Sequence, residues 1–297
     1  LGELGWHVPD MDRLRPSLTP PATELMIDIH CHMLPGIDDG ARDLNTALVM
    51  ARLAVEDGIT TTICTPHIYP GLFENTVEGI QQAVVDFRQA LQVAKIPLEV
   101  TYGADIQITP ELVQGLRTGS LPTLHHSRYF LFEPPHHIAP PGMLDLLHNV
   151  ILSGYVPVVT HPERLSYVEE YYDQFLEAAS MGAWLQLTGG SLLGRFGPRV
   201  KAVSERFLAD GVVHLLASDG HNLKNRTPEL SEARDAAALW VGEEEAQRLV
   251  QDRPRAILDN LEPGLVTPPH VQRPSKIKKE GKGHTLSLWA RLFGGTG

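Results

Sequence analysis

The chain has 297 residues, 42% hydrophobic and 21% charged, with no apolar run near the roughly 18 residues needed to cross a bilayer, which excludes a helical membrane protein and a disordered one. That length fits two domains of roughly 150 residues or one α/β barrel of about 250. A net charge of −11 lacks the basic footprint of a general nucleic-acid binder, so no nucleic-acid partner is expected.

Residues 1–25 carry a net −2 and no basic segment followed by an apolar one, so they read as a polar extension rather than a signal peptide, with the folded unit starting at Met26. Short β-branched runs follow at residues 26–30, 61–65, 98–103, 128–132, 156–160, 183–187 and 212–217. They alternate with helical stretches, the pattern of βα units around a parallel sheet. Helices expected over residues 43–57, 140–153 and 167–181 each stop at a glycine, Gly58, Gly154 and Gly182. Two cysteines, Cys31 and Cys64, cannot form a disulfide framework and point to a reducing compartment, read as the cytoplasm. Residues 26–262 form one acidic body of net −14, and residues 263–297 a tail of net +5 expected to be flexible. In that tail a lysine run precedes Leu286, Trp289 and Phe293 at helical spacing, a pattern able to touch an anionic membrane surface, although a solubilising tail is the simpler expectation.

Chemistry-bearing residues stand at the carboxyl ends of these runs. His30 and His32 follow the first, His67 the second, Asp105 the third, Glu133 the fourth, His161 the fifth, and Asp219 and His221 the seventh. In a βα barrel the carboxyl ends converge on one face, so these side chains would meet in one pocket. With Asp39 from the glycine-flanked loop there are nine candidate metal ligands, enough for two or three ions at roughly three to four ligands each. Imidazole and carboxylate suit Mn, Fe or Zn in a hydrolytic site. Four carboxylates against three divalent ions leave about two positive charges, which favours an anionic, phosphate-like substrate. His30 and His32 are two apart on a strand end and face the same side, while Cys31 faces away. Any one of these motifs alone is ordinary strand punctuation; their recurrence at successive strand ends is what marks a site. His125, His126, His136 and His137 read as surface or rim residues, and His7, His148, His214, His270 and His284 as structural or exposed.

MIDIHCHMLPGIDDGARDL, TPH, FEPP, THPER and SDGHNLKNRTP together resemble the polymerase and histidinol phosphatase (PHP) superfamily, and within it the bacterial tyrosine-protein phosphatases of the CpsB/YwqE type, over about residues 26–260. The resemblance implies a distorted (β/α)7 TIM-like barrel, the PHP fold, with a usually manganese-dependent trinuclear centre. His30, His32 and Asp219 would hold one ion, Glu133 and His161 a second, and Asp39, His67 and His221 a third, with Asp105 bridging the first two. Arg164 and Arg226 match the family's phosphate-binding arginines. Asp105 stands where the family usually has glutamate, one methylene longer, which puts the metal count in question. Cys31 replaces a small hydroxyl residue.

The implied activity is hydrolysis of phosphotyrosine by a metal-bridged hydroxide, on the tyrosine-rich tail of a membrane-associated bacterial tyrosine kinase that governs capsule or exopolysaccharide synthesis. A cysteine-dependent phosphatase would need arginine six positions after its nucleophile; Ile37 and Pro70 stand there instead. Two alternatives are a phosphoesterase acting on a small monoester such as histidinol phosphate and a non-catalytic metal-binding regulator.

Overall fold

The computed structural model describes residues 25–270. The expected N-terminal extension up to residue 24 and the tail beyond residue 270, with its aromatic segment, lie outside the described residues.

All seven expected strand regions are present, and the strands pair in parallel. β1 (Met26–Cys31), β2 (Ile59–Cys64) and β4 (Glu99–Tyr102) form a three-stranded sheet. β3 (His67–Ile68), β5 (Asp105–Gln107), β6 (Tyr129–Glu133), β7 (Val156–Thr160), β8 (Trp184–Thr188) and β9 (Val213–Ala217) form a six-stranded one in that order. β2 and β4 match the expected runs 61–65 and 98–103, and each is followed by a short strand, β3 or β5, that lies beyond the expected run. β2 and β3 part at Pro66, which has no N–H to give to a ladder. β4 and β5 part beside Gly103, where an added Cβ would lie 2.6 Å from Leu124 Cδ2 and would require that side chain to shift. Hydrogen bonds carry the pairing across both breaks, from Gly103 N to Cys64 O (3.0 Å) and from Asp105 N to Pro66 O (3.1 Å). At the other edge the end of the last strand returns to the first: Asp219 N donates to His30 O (2.8 Å) and His32 N to Gly220 O (2.9 Å).

The helices lie where apolar residues recur at helical spacing. α1 (Leu44–Glu56) is capped by Asp43, whose carboxylate accepts from Thr46 N at 2.7 Å. In α2 (Val77–Val93), Ile80, Val84, Phe87 and Leu91 make one buried stripe, each side chain contributing about 2 kcal/mol of burial. α3 (Leu112–Thr118) precedes β6. α4 (Met143–Leu152) and α5 (Tyr172–Met181) end at the expected glycines, Gly154 and Gly182, whose φ of 89° and 109° place them in the left-handed region. Both helices start later than expected: Pro140 and Pro141 lead into a turn at Gly142, and residues 167–171 form turns of their own. The remaining helices are α6 (Gly189–Leu192), α7 (Pro198–Ala209), α8 (Ser231–Val241), α9 (Glu243–Gln247) and α10 (Arg253–Leu258). A second, smaller apolar cluster lies on the other face of the strands, where Ile27 and Ile29, Tyr129 and Leu131, and Leu215 and Ala217 pair by the strand period of two.

Arg253 and Glu245 form a buried ion pair, with Arg253 Nη2 donating to Glu245 Oε1 at 2.6 Å. The remaining groups are also satisfied: Arg253 Nε donates to Thr267 O (3.0 Å), and Arg248 and His270 reach Glu245 Oε2. This fastens residues 263–270, the first part of the expected tail, to the body. Arg253→Met is expected to cost about 3 kcal/mol in urea denaturation, because it removes the buried partner of Glu245 Oε1 and leaves Arg248 and His270 on Oε2 alone. His214 supplies a second test. Burial and the neighbouring Arg253 lower its pKa to about 3, and its ring stacks on Trp184 while Leu185 N points at Nδ1 from 3.2 Å. The neutral ring favours the fold fully above pH 6.5, and that benefit is lost as pH falls towards 3. The stability advantage of the wild type over His214→Gln should shrink across that window.

Candidate metal centre

The carboxyl ends of the strands bring all nine expected residues together. Five groups of donors form, and within each group the donor atoms lie within 4.8 Å of one another: His32, Asp39, His67 and His221; His30, His32 and Asp219; His30, Asp105 and His161; His67, Asp105 and Glu133; and Glu133, His136 and His161. The groups share members, so they make one continuous cluster. Asp105 Oδ2 lies 3.3 Å from His30 Nε2, 3.6 Å from His67 Nδ1 and 3.8 Å from His161 Nε2. His30 and His32 face the same side with their Nε2 atoms 3.2 Å apart, while Cys31 packs in the apolar core. Asp39 is half exposed and reaches His221 Nε2 at 3.4 Å and His67 Nε2 at 3.6 Å.

Several residues that orient these donors are not evident from motif spacing. Gln186 Oε1 lies 2.9 Å from His30 Nδ1, and Asp38 Oδ2 lies 2.7 Å from His32 Nδ1. Each contact occupies Nδ1 and turns Nε2 towards the cluster, the arrangement that selects a ligating tautomer. β8 therefore contributes an orienting amide rather than a ligand. Gln186 is a polar residue between two leucines in WLQLT and Asp38 stands beside Asp39, and those are the only sequence signals they carry. Asp38 also accepts from Gly40 N (2.9 Å) and His67 N (3.1 Å). Gly40 is required there, since an added Cβ would lie 2.1 Å from His32 O. His161 and Asp219 have φ of 35° and 49°, left-handed conformations that aim both side chains off their strand ends and are held by the surrounding contacts.

Asp219 works in two directions. Its Oδ1 lies 3.5 Å from His30, His32 and His221, whereas its Oδ2 accepts from Arg226 Nη2 at 2.6 Å and from Arg164 Nη1. Arg164 also lies over the Phe196 ring at 4.6 Å, and Asn222 folds the loop that carries Arg226. Of the histidines read as rim residues, His136 joins the cluster at its edge. His125 and His126 bond instead to Thr101 and Tyr102.

The cluster suits divalent cations. Buried atoms of Asp105 (both oxygens), Glu133 Oε2, His67 Nδ1, His161 Nδ1 and His221 Nε2 have no hydrogen-bond partner among the described residues, and such orphans call for an ion or water. Burial alone would lower the imidazole pKa values. It does so for His32, to about 3 with help from His221, and for His161, to about 4 with help from Arg164. For His30 the Asp105 and Asp219 carboxylates override burial and raise the value to about 9, and for His67 Glu133 and Asp105 raise it to about 10. Burial also opposes ionisation of Asp219, yet Arg226 and Arg164 hold it well below the usual carboxylate range. At neutral pH an incoming cation would therefore displace protons from His30 and His67. Calorimetry of metal loading in buffers of different ionisation enthalpy should show net proton release at pH 7, and affinity should weaken as pH falls.

The chain and its fold have counterparts among known proteins. The family model described as capsular polysaccharide synthesis, CpsB/CapC, matches residues 26–259. The tyrosine-protein phosphatase YwqE of Bacillus subtilis (strain 168) is 39% identical over 220 residues, which cover 74% of this chain and 85% of that protein. The tyrosine-protein phosphatase CpsB of Streptococcus pneumoniae is 31% identical over 238 residues, covering 78% and 98%. A solved structure from the work on YwqE from Bacillus subtilis and CpsB from Streptococcus pneumoniae, described as unique metal-dependent tyrosine phosphatases, superposes with a TM-score of 0.78 at 35% identity and covers 84% of this chain and 100% of that one. The matched span takes in every strand and every one of the nine donors, and the chain belongs to the CpsB/CapC family.

Proposed function

We propose that this protein is a metal-dependent protein-tyrosine phosphatase. The observation that carries the reading is the convergence of nine imidazole and carboxylate donors beside two arginines, in a chain whose relatives are named tyrosine-protein phosphatases. We read the strands as closing into a distorted (β/α)7 barrel, with residues 26–262 as the catalytic unit between two extensions. His30, His32 and Asp219 would hold one ion, Glu133 and His161 a second, and Asp39, His67 and His221 a third, with Asp105 between the first two; two to three Mn2+ are proposed, with Fe or Zn as the alternatives. Bound divalent ions supply Lewis acidity that activates water at neutral pH and offsets phosphate charge.

The chain's own residues supply the rest. Arg164 and Arg226 present planar guanidinium forks suited to two phosphate oxygens, and Arg226 Nε has no partner among the described residues, a donor left for a ligand. Their grip on Asp219 Oδ2 keeps that carboxylate ionised and holds both guanidinium groups beside the cluster, which supports a phosphate-binding role for them. A tyrosyl leaving group, with a pKa near ~10, departs with less protonation than an alkoxide. The thiols play no part: Cys31 and Cys64 are fully buried, burial pushes both pKa values up, and neither is followed by arginine at the sixth position.

The proposed substrate is a phosphotyrosine protein, and more narrowly the tyrosine-rich tail of a membrane-associated bacterial kinase controlling capsule or exopolysaccharide synthesis, met in the cytoplasm. No helix of the described residues is long and apolar enough to cross a membrane. The relatives' names favour phosphotyrosine over histidinol phosphate and over a non-catalytic regulator. Chelation should abolish turnover of a phosphotyrosyl peptide, with activity restored by Mn2+, while thiol alkylation leaves most of it. Arg164→Ala should lower kcat/KM about 100-fold. Faster turnover of histidinol phosphate than of the peptide, or inactivation by alkylation and not by chelation, would refute the reading.

A further inference from the structure

We propose that His136 is a tenth metal ligand, completing the donor set around Glu133 and His161. The inference rests on the reading above that the centre holds ions, and it assigns a role to a residue outside the nine. Glu133 and His161 occur together in a three-donor group only when His136 is counted; otherwise Glu133 groups with His67 and Asp105, and His161 with His30 and Asp105. Glu133 and His161 by themselves give an ion two protein ligands, whereas catalytic sites use three or more, so a further donor is needed. Asp105 is shared rather than dedicated to this ion, since its Oδ2 stands 3.3 Å from His30 and 3.6 Å from His67 as well as 3.8 Å from His161.

The geometry of His136 fits the role. Its Nε2 lies 3.7 Å from Glu133 Oε1, and its ring centroid lies 5.1 Å from that of His161. Ligand atoms that each stand about 2.1 Å from one ion can be no more than roughly 4.2 Å apart, so the 3.7 Å separation is compatible with a shared cation. The loop that carries His136 is also held in place. Pro134 and Pro135 stiffen the exit from β6, and His136 O accepts from Ser166 N at 2.9 Å, in the segment just after His161 and Arg164. His136 therefore sits between the ends of β6 and β7 with its backbone tied to the second of the two. His137 next to it belongs to none of the donor groups.

The test compares the full-length wild type with His136→Ala, His136→Gln and, as a control, His137→Ala. Mn2+ is added to chelator-stripped protein, ions per chain are counted by elemental analysis, and the affinity of each is read by competition with a chromophoric chelator. His136→Ala should weaken one ion by at least about 10-fold while leaving the others in place, His136→Gln should follow it, and His137→Ala should match the wild type. Both positions lie on a surface loop, and unchanged melting of the metal-stripped variants confirms that the fold is intact. Wild-type stoichiometry and affinity in His136→Ala would overturn the proposal, even if its KM rose, since His136 would then meet substrate rather than metal. Failure of the wild type itself to bind Mn2+ would overturn the metal reading along with it.

Discussion

Asp28 ties together two parts of the chain 190 residues apart, and the site depends on that tie. Its carboxyl accepts from Ser218 N (3.0 Å), from Ser218 Oγ and from His30 N (3.3 Å), while Ser218 Oγ in turn accepts from Gly220 N (3.0 Å). One buried side chain therefore positions His30 and His32 on one strand end and Asp219 and His221 on another. Burial pushes the Asp28 pKa up to about 6, and the hydrogen bonds it accepts work against that rise, which is what makes a carboxyl tolerable in this position. The left-handed backbone at Asp219 persists because the same tie and the two arginine contacts over-determine it.

Above that tie the centre is a problem of charge burial solved internally. Asp105, Glu133 and Asp219 are buried with His30, His32, His161 and His221, and none of these groups would be stable alone in an apolar setting. They are kept together by mutual neutralisation: carboxylates raise the pKa of His30 and His67, and arginines lower that of Asp219. The same electrostatics define the chemistry. Donors oriented by Gln186 and Asp38 turn Nε2 towards the cluster, and two arginines steady Asp219 beside them. Stability and function rest on one network here, supported from below by the apolar rows of Ile27, Tyr129, Leu131 and Leu215.

The strand regions along the chain, the glycine stops of three helices and the nine residues that meet in one cluster were legible in the sequence, because residue chemistry and spacing at a strand end are local properties. His30 and His32 face together because the strand period is two, and that holds in any fold that keeps the strand. Tertiary structure alone decided which groups touch. Gln186 meets His30 across 156 residues, Asp28 meets Ser218, and His136 rather than His137 reaches Glu133. It also decided the short strands β3 and β5 beyond the expected runs and the late starts of α4 and α5, where turn geometry prevails over the local helical pattern. These contacts join residues far apart in sequence through the packing of parallel strands side by side, and no local window carries that information.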